Sequence, residues 1–293
     1  MHVMLALDES RYGDTIVRWI KTFPHPVGTR LTLVHVIEPL DVPESFSAKA
    51  RQALRRHQEA EGRALLASAA QSLQKSYSEI KTVVREGLPI YEVLHLIREE
   101  HPDLVVSGTR GLRGASGLVL GSLSQRLLNY VPCSILLVPA KAVPARALRV
   151  LLATDGSRGA KHAARFLTVL PNLKEVTVAT AVRPVDAREL AMYEVDLVKV
   201  RALRTQLSRG RRAAALRAIE ETCDVLGSAG AAVNGRILTG HPAEVIPKLA
   251  QKDRYDLLVV GSRGLTGRTA MAMGSVSLAL AQSAPCPVLV VRT

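Results

Sequence analysis

Short apolar runs alternate along this chain with longer stretches in which apolar residues recur every three or four positions, and the whole alternation occurs twice. In the first half the runs fall near residues 2–7, 30–37, 79–85, 103–108 and 134–138; in the second they fall near 148–154, 174–182, 231–238, 255–261 and 286–291. Apolar strands alternating with amphipathic helices predict parallel sheets covered by helices on both faces. The helices are expected to begin near Ser10, Glu44, Leu88 and Ser122, then near Ser157, Val185, His241 and Ser275. The second helix of each half is long and polar, over about 44–75 and 186–227. Ser208-Arg209-Gly210-Arg211 is expected to interrupt the later one, since glycine costs ~1 kcal/mol inside a helix.

The two halves are copies. Gly108-x2-Gly111-x9-Gly121-Ser122 recurs as Gly261-x2-Gly264-x9-Gly274-Ser275, each after an apolar run, Asp103-Leu104-Val105-Val106-Ser107 or Asp256-Leu257-Leu258-Val259-Val260. His2-Val3-Met4-Leu5-Ala6-Leu7-Asp8-Glu9-Ser10 is echoed by Arg149-Val150-Leu151-Leu152-Ala153-Thr154-Asp155-Gly156-Ser157, and Val131-Pro132-Cys133 by Ala284-Pro285-Cys286. A period of half the chain means two domains, expected at 1–140 and 147–293. Pro139 to Ala145, with two prolines, is the linker. The offset between the copies drifts from 147 at the aspartates to 153 at the loops, so the later copy carries a six-residue insertion placed in its long second helix.

Composition adds exclusions. With 293 residues, 47% of them apolar, each domain is large enough for its own core. No run reaches the ~18 apolar residues a membrane span needs. The N-terminus lacks a basic leader, so an untargeted cytoplasmic protein is expected. Cys133, Cys223 and Cys286 form no Cys-x-x-Cys pair and read as core cysteines, and the eight histidines show no metal-ligand spacing. The net charge of +13 would attract polyanions, most of all at Lys199 to Arg217, which holds no acidic residue. That stretch lacks aromatic residues for base stacking, so no sequence-specific nucleic-acid binding is expected.

The chemistry concentrates at the glycine-serine loops. A glycine-rich turn leaving a strand and entering a helix offers backbone N–H groups and a helix dipole to phosphate. Gly108, Gly111, Gly261 and Gly264 are expected to adopt positive φ and to let backbone approach a phosphate. Gly121-Ser122 and Gly274-Ser275 open helices whose first N–H groups need acceptors, and Ser124 and Ser277 add hydroxyls two residues on. In a doubly wound sheet the crevice opens at the carboxyl ends of the strands where their order reverses. Asp8 and Asp155 would face the loops there, accepting hydrogen bonds from ribose or adenine or capping the next helix. Arg110, Arg113, Arg263 and Arg268 lie close enough to pair with phosphate oxygens or to reach solvent.

With these residues the chain resembles a tandem universal stress protein, two copies covering essentially its whole length. The Gly-x2-Gly-x9-Gly-Ser pattern is similar to that family's ATP-binding signature, and Gly261-Ser262-Arg263-Gly264-Leu265 and Ala284-Pro285-Cys286-Pro287-Val288 read like family members. The resemblance implies an α/β fold of two doubly wound five-stranded parallel-sheet domains, strand order 3-2-1-4-5, Rossmann-like and flavodoxin-like. It implies ATP, or ADP and AMP, accompanied by Mg²⁺ and held without a Walker loop. By position, Asp8 and Asp155 would contact ribose or adenine, and Val36 and Ala181 would offer backbone groups to adenine. Gly108, Gly111, Gly121 and Ser122 would hold ribose and phosphates in one half, as Gly261, Gly264, Gly274 and Ser275 would in the other. It also suggests that the domains pair through their last strands as an internal pseudo-dimer, with a homodimer of the chain open.

These features favour a nucleotide-binding stress regulator that changes shape or partner on occupancy. The alternative is a slow ATPase or phosphotransferase. No Gly-x4-Gly-Lys-Ser/Thr motif is present, and no histidine or glutamate recurs in both candidate clefts as a general base. A dinucleotide oxidoreductase is set aside, because neither half has Gly-x-Gly-x2-Gly after its first strand.

Overall fold

The computed structural model describes residues 1–10, 13–39, 43, 46–109, 120–185, 197–227, 229–264 and 273–292. The chain divides into two compact units, built mainly on Met1–Arg146 and Ala147–Cys286. The first unit runs β1 (His2–Ala6), α1 (Gly13–Thr22), β2 (Arg30–Ile37), α2 (Ala48–Leu73), β3 (Glu79–Glu86), α3 (Pro89–Glu100), β4 (Leu104–Gly108), α4 (Ser122–Tyr130) and β5 (Ser134–Val138). The second runs β6 (Leu148–Ala153), α5 (Arg158–Thr168), β7 (Leu173–Val182), α6 (Leu197–Leu226), β8 (Ala232–Thr239), α7 (Pro242–Lys252), β9 (Leu257–Gly261), α8 (Ser275–Ser283) and β10 (Val288–Val291).

In the first unit the strands lie in the order β3-β2-β1-β4-β5, and in the second in the order β8-β7-β6-β9-β10. The pairings β1 with β2 and β4, and β6 with β7 and β9, are parallel. Leu5 stands beside Leu33 on one side and Val106 on the other; Leu151 stands beside Thr177 and Leu258. Consecutive residues Val3, Met4 and Leu5 are all fully buried, as are Val150, Leu151 and Leu152. Side chains on successive strand positions point to opposite faces, so burial of all three means that both faces are covered. The strand order reverses between β1 and β4, and between β6 and β9. That puts Asp8 and Asp155, just past β1 and β6, at the carboxyl ends of strands that neighbour β4 and β9.

At the opposite end of the first unit a polar network ties strand starts together. His2 Nε2 lies 2.9 Å from Thr32 Oγ1, which donates to Glu100 Oε2 at 3.0 Å, and Lys81 pairs with the same carboxylate. Burial pushes the Glu100 carboxyl up, but hydrogen bonds from Lys81 and Thr32, with the Lys81 and His2 charges, outweigh it and hold it below the usual carboxylate range. All three cysteines are thiols. Cys286 is buried, which pushes its thiol up to about 12. Among the described residues no helix is long and apolar enough to cross a membrane.

Two helix expectations need correction. The second helix starts at Ala48, not Glu44, because Ser47 takes the N-cap and accepts from the Ala50 N–H at 3.1 Å. Its counterpart α6 runs unbroken for 30 residues through Gly210, where a side chain would meet open space. A single exposed glycine costs the helix about 1 kcal/mol, too little to split a run this long and rich in Arg, Ala and Leu. The insertion expected in this region lies between β7 and β8. Gly87 donates to the Ile37 carbonyl and Gly240 to the Val182 carbonyl, so these pairs correspond, and the second is separated by eight more residues than the first.

Candidate functional site

Each glycine-serine loop is closed at its base in the same way. In the first unit Thr109 N–H donates to the Val138 carbonyl at 3.0 Å, and Gly121 N–H donates to the Thr109 carbonyl at 2.7 Å. In the second, Ser262 N–H donates to the Val291 carbonyl at 2.8 Å, and Gly274 N–H donates to the Ser262 carbonyl at 2.9 Å. The hydroxyls of Ser124 and Ser277, both buried, donate to the strand-final carbonyls of Gly108 and Gly261, the latter at 2.7 Å. These two serines, expected as ligand donors, use their hydroxyl hydrogens to pin the following helix to the strand end.

The helices that follow start without a side-chain cap. Gly121 and Gly274 occupy the N-cap positions of α4 and α8 and have no side chain to offer. Ser47 caps α2, Ser157 caps α5 and His241 caps α7, whereas α3 starts behind Leu88 without a side-chain cap but with Pro89, which has no N–H to leave open. An uncapped first turn presents N–H groups without an intrahelical partner, together with the positive end of the helix dipole. Ser122 and Ser275, the first helical residues, are exposed and stand at those openings.

In the second unit the expected carboxylate and loop come together. Asp155 Oδ1 accepts from the Ser157 N–H at 3.0 Å, while Oδ2 lies where a Cβ on Gly264 would be, 2.5 Å from that position. Asp8 makes the same turn in the first unit, accepting from Ser10 N–H at 3.2 Å. Each aspartate thus folds back on the N–H two residues ahead, before the helix begins; the cap of α5 itself is Ser157. Gly108 ends β4 as Gly261 ends β9. Gly111, Arg110, Arg113 and Arg268 lie outside the described residues. Val36 and Ala181 sit one residue before the ends of β2 and β7, on strands that neighbour β1 and β6.

The expected conformational reason for the glycines is corrected. Gly108, Gly261 and Gly264 do not have positive φ, and Gly111 lies outside the described residues. The requirement at Gly261 is space within the protein. A Cβ there would lie 2.5 Å from the Gly159 carbonyl carbon and 2.9 Å from Ala160 N, and one on Gly159 would lie 2.5 Å from the Arg263 carbonyl oxygen. The start of α5 is thus pressed onto the end of β9, where Ser157 Oγ also donates to the Arg263 carbonyl at 3.3 Å. Gly159 was missed from sequence, and Ser157 was read only as the start of its helix. Their signal is a small residue two positions after an N-cap serine, which permits such an approach.

The two clefts are not duplicates. In the second, Gly156 has φ +79°, a left-handed conformation that suits glycine, and the Thr180 hydroxyl donates to the Thr154 carbonyl at 2.9 Å. In the first, Glu9 replaces that glycine and buried His35 replaces that threonine. His35 Nδ1 donates to the Leu7 carbonyl at 3.0 Å, and its Nε2 is 3.6 Å from Glu9 Oε1. Gly62 of α2 makes room, since a Cβ there would meet the imidazole at 2.6 Å. Among the described residues no group of three or more His, Cys, Asp or Glu side chains could hold a metal ion.

A family model described as Universal stress protein family matches this chain twice, over residues 1–139 and 147–292. A universal stress protein of Mycolicibacterium smegmatis is 27% identical over 302 residues, spanning 99% of this chain and 96% of the relative. One from Mycobacterium bovis is 27% identical over 308 residues with the same coverage of both. Among solved structures, a universal stress protein from Archaeoglobus fulgidus superposes with a TM-score of 0.68 at 19% identity, covering 99% of this chain and 98% of that one.

Proposed function

The chain belongs to the universal stress protein family, and on that footing we propose that each half binds an adenine nucleotide, ATP foremost with ADP and AMP as variants of the same ligand. The observation that carries this reading is the pair of helix starts left without a side-chain cap, each directly behind a glycine-serine loop. Backbone N–H groups at such a start are ready donors to phosphate oxygens. Ser122 and Ser275 would add hydroxyl donors there. Asp155, placed against Gly264, would accept from the ribose hydroxyls, and Asp8 would do so in the first half. The backbones of Val36 and Ala181 would meet the adenine. The donor set suits a polyphosphate: neutral N–H and hydroxyl groups toward the phosphates, a carboxylate toward the sugar. Mg²⁺ would arrive on the phosphates.

The output is a change of conformation or partner with occupancy, within an internal pseudo-dimer of the two halves. Ligand released by acid from freshly purified protein and identified by mass spectrometry tests the ligand class. Adenine nucleotide at close to stoichiometric amount supports the reading; protein that carries none and takes up none when ATP is added overturns it.

A further inference from the structure

The first half of α6 is exposed and strongly basic. Every residue from Arg201 to Ala214 is exposed, all around the helix. From Lys199 to Arg217 there are seven basic residues, six of them arginine, and no acidic one. The corresponding helix α2 has five basic residues against two glutamates, and its Arg55 pairs with Glu59 and Glu86. Among the described residues no carboxylate pairs with Arg201, Arg204, Arg209 or Arg212 of α6.

The charges are ordered. Positions separated by three, four, seven, eight and eleven residues share one face of a helix. Arg201, Arg204, Thr205, Ser208, Arg209 and Arg212 fall on one such face and form one open, exposed patch. The face reaches about 16 Å along the axis. Leu203 and Leu207 occupy the opposite side, and Arg211 reaches back to the Arg183 carbonyl at 3.1 Å.

We propose that this face docks the phosphate backbone of a nucleic acid, without reading its sequence. Each strand of a duplex carries about one negative charge per 3.4 Å of axis, so four arginines over about 16 Å, one per ~4–5 Å, come near the charge density of a single strand. Arginine forks pair with phosphate oxygens through two N–H groups, and the Ser208 hydroxyl stands among them. Bases are left unread because α6 has no aromatic side chain to stack on them. A membrane surface fits less well: three exposed leucines, Leu203, Leu207 and Leu216, and no aromatic anchor give the helix little apolar area to insert.

The test uses the full chain with saturating ATP, so that phosphate-binding loops elsewhere are occupied. Fluorescence anisotropy follows a labelled mixed-sequence DNA duplex between about 50 and 200 mM salt. Four face arginines predict that log K falls with log salt at a slope of about −3.6, equally for unrelated sequences. R204A/R209A/R212A, three exposed changes, should lower that slope in magnitude by about 2.7, whereas K49A/R51A/R56A on α2 should leave it nearly unchanged. Absence of duplex binding at the lowest salt, equal losses in both triple variants, or capture of phosphatidylserine vesicles in place of DNA would each overturn the proposal.

Discussion

The Asp155 carboxylate occupies the space that a side chain on Gly264 would need: a Cβ there would stand 2.5 Å from Asp155 Oδ2. One residue comes from the turn after β6 and the other from the loop after β9, so their contact defines the second cleft. Gly264→Ala should displace the carboxylate and weaken nucleotide binding in the second half. Asp155→Ala should weaken it by about 1.5–3 kcal/mol, the worth of a hydrogen bond to a charged group. Titration of each variant, with the first site disabled, checks both. Affinity equal to that of the parent in the two variants would separate this carboxylate from the ligand.

Gly261→Ala should act on the fold instead. The intruding Cβ would meet the Gly159 and Ala160 backbone, which has no flexible end to move aside. Overpacking of this kind costs roughly 1–3 kcal/mol or more. Gly274 is the contrasting position, since a Cβ there finds its nearest neighbours at 3.5 Å, ordinary contact. Chemical denaturation should therefore show a lowered midpoint for Gly261→Ala and a near-parental one for Gly274→Ala.

Glu100 supplies a pH signature of the first unit. Its carboxyl is held below the usual range by Lys81 and Thr32, with His2 adding to this, despite burial. A group with a lowered folded pKa contributes stability above its unfolded pKa and loses it as pH falls through the folded value. Parent and Glu100→Gln should accordingly differ in denaturation midpoint near neutral pH and converge in acid. A difference that persists or grows as pH falls would contradict this.

Much of this molecule can be read from its sequence. The strands fall where the apolar runs lie, because consecutive residues such as Val3, Met4 and Leu5 must all be buried in a sheet covered on both sides. The loops, the aspartates and the doubling were equally visible. What a linear pattern does not carry is the partner each small residue meets. Gly261 looks like a phosphate glycine and is packed against α5, and Ser277 looks like a ligand donor and is spent on the Gly261 carbonyl. The exchange of Thr180 for His35 makes sense only once Gly62, on another helix, is seen to open the space. Gly210 misled for the opposite reason: its helix is exposed there, and nothing depends on the missing side chain.

Counting nucleotides by isothermal titration calorimetry tests most directly whether both loops bind ligand. The parent, stripped of bound ligand, should take up two ATP per chain. Gly274→Val and Gly121→Val should each take up one while keeping the parental circular dichroism spectrum, because a branched side chain would stand where phosphate must reach the first N–H groups of α8 or α4. Two ATP per chain in both valine variants would show that these loops are turns and helix starts only.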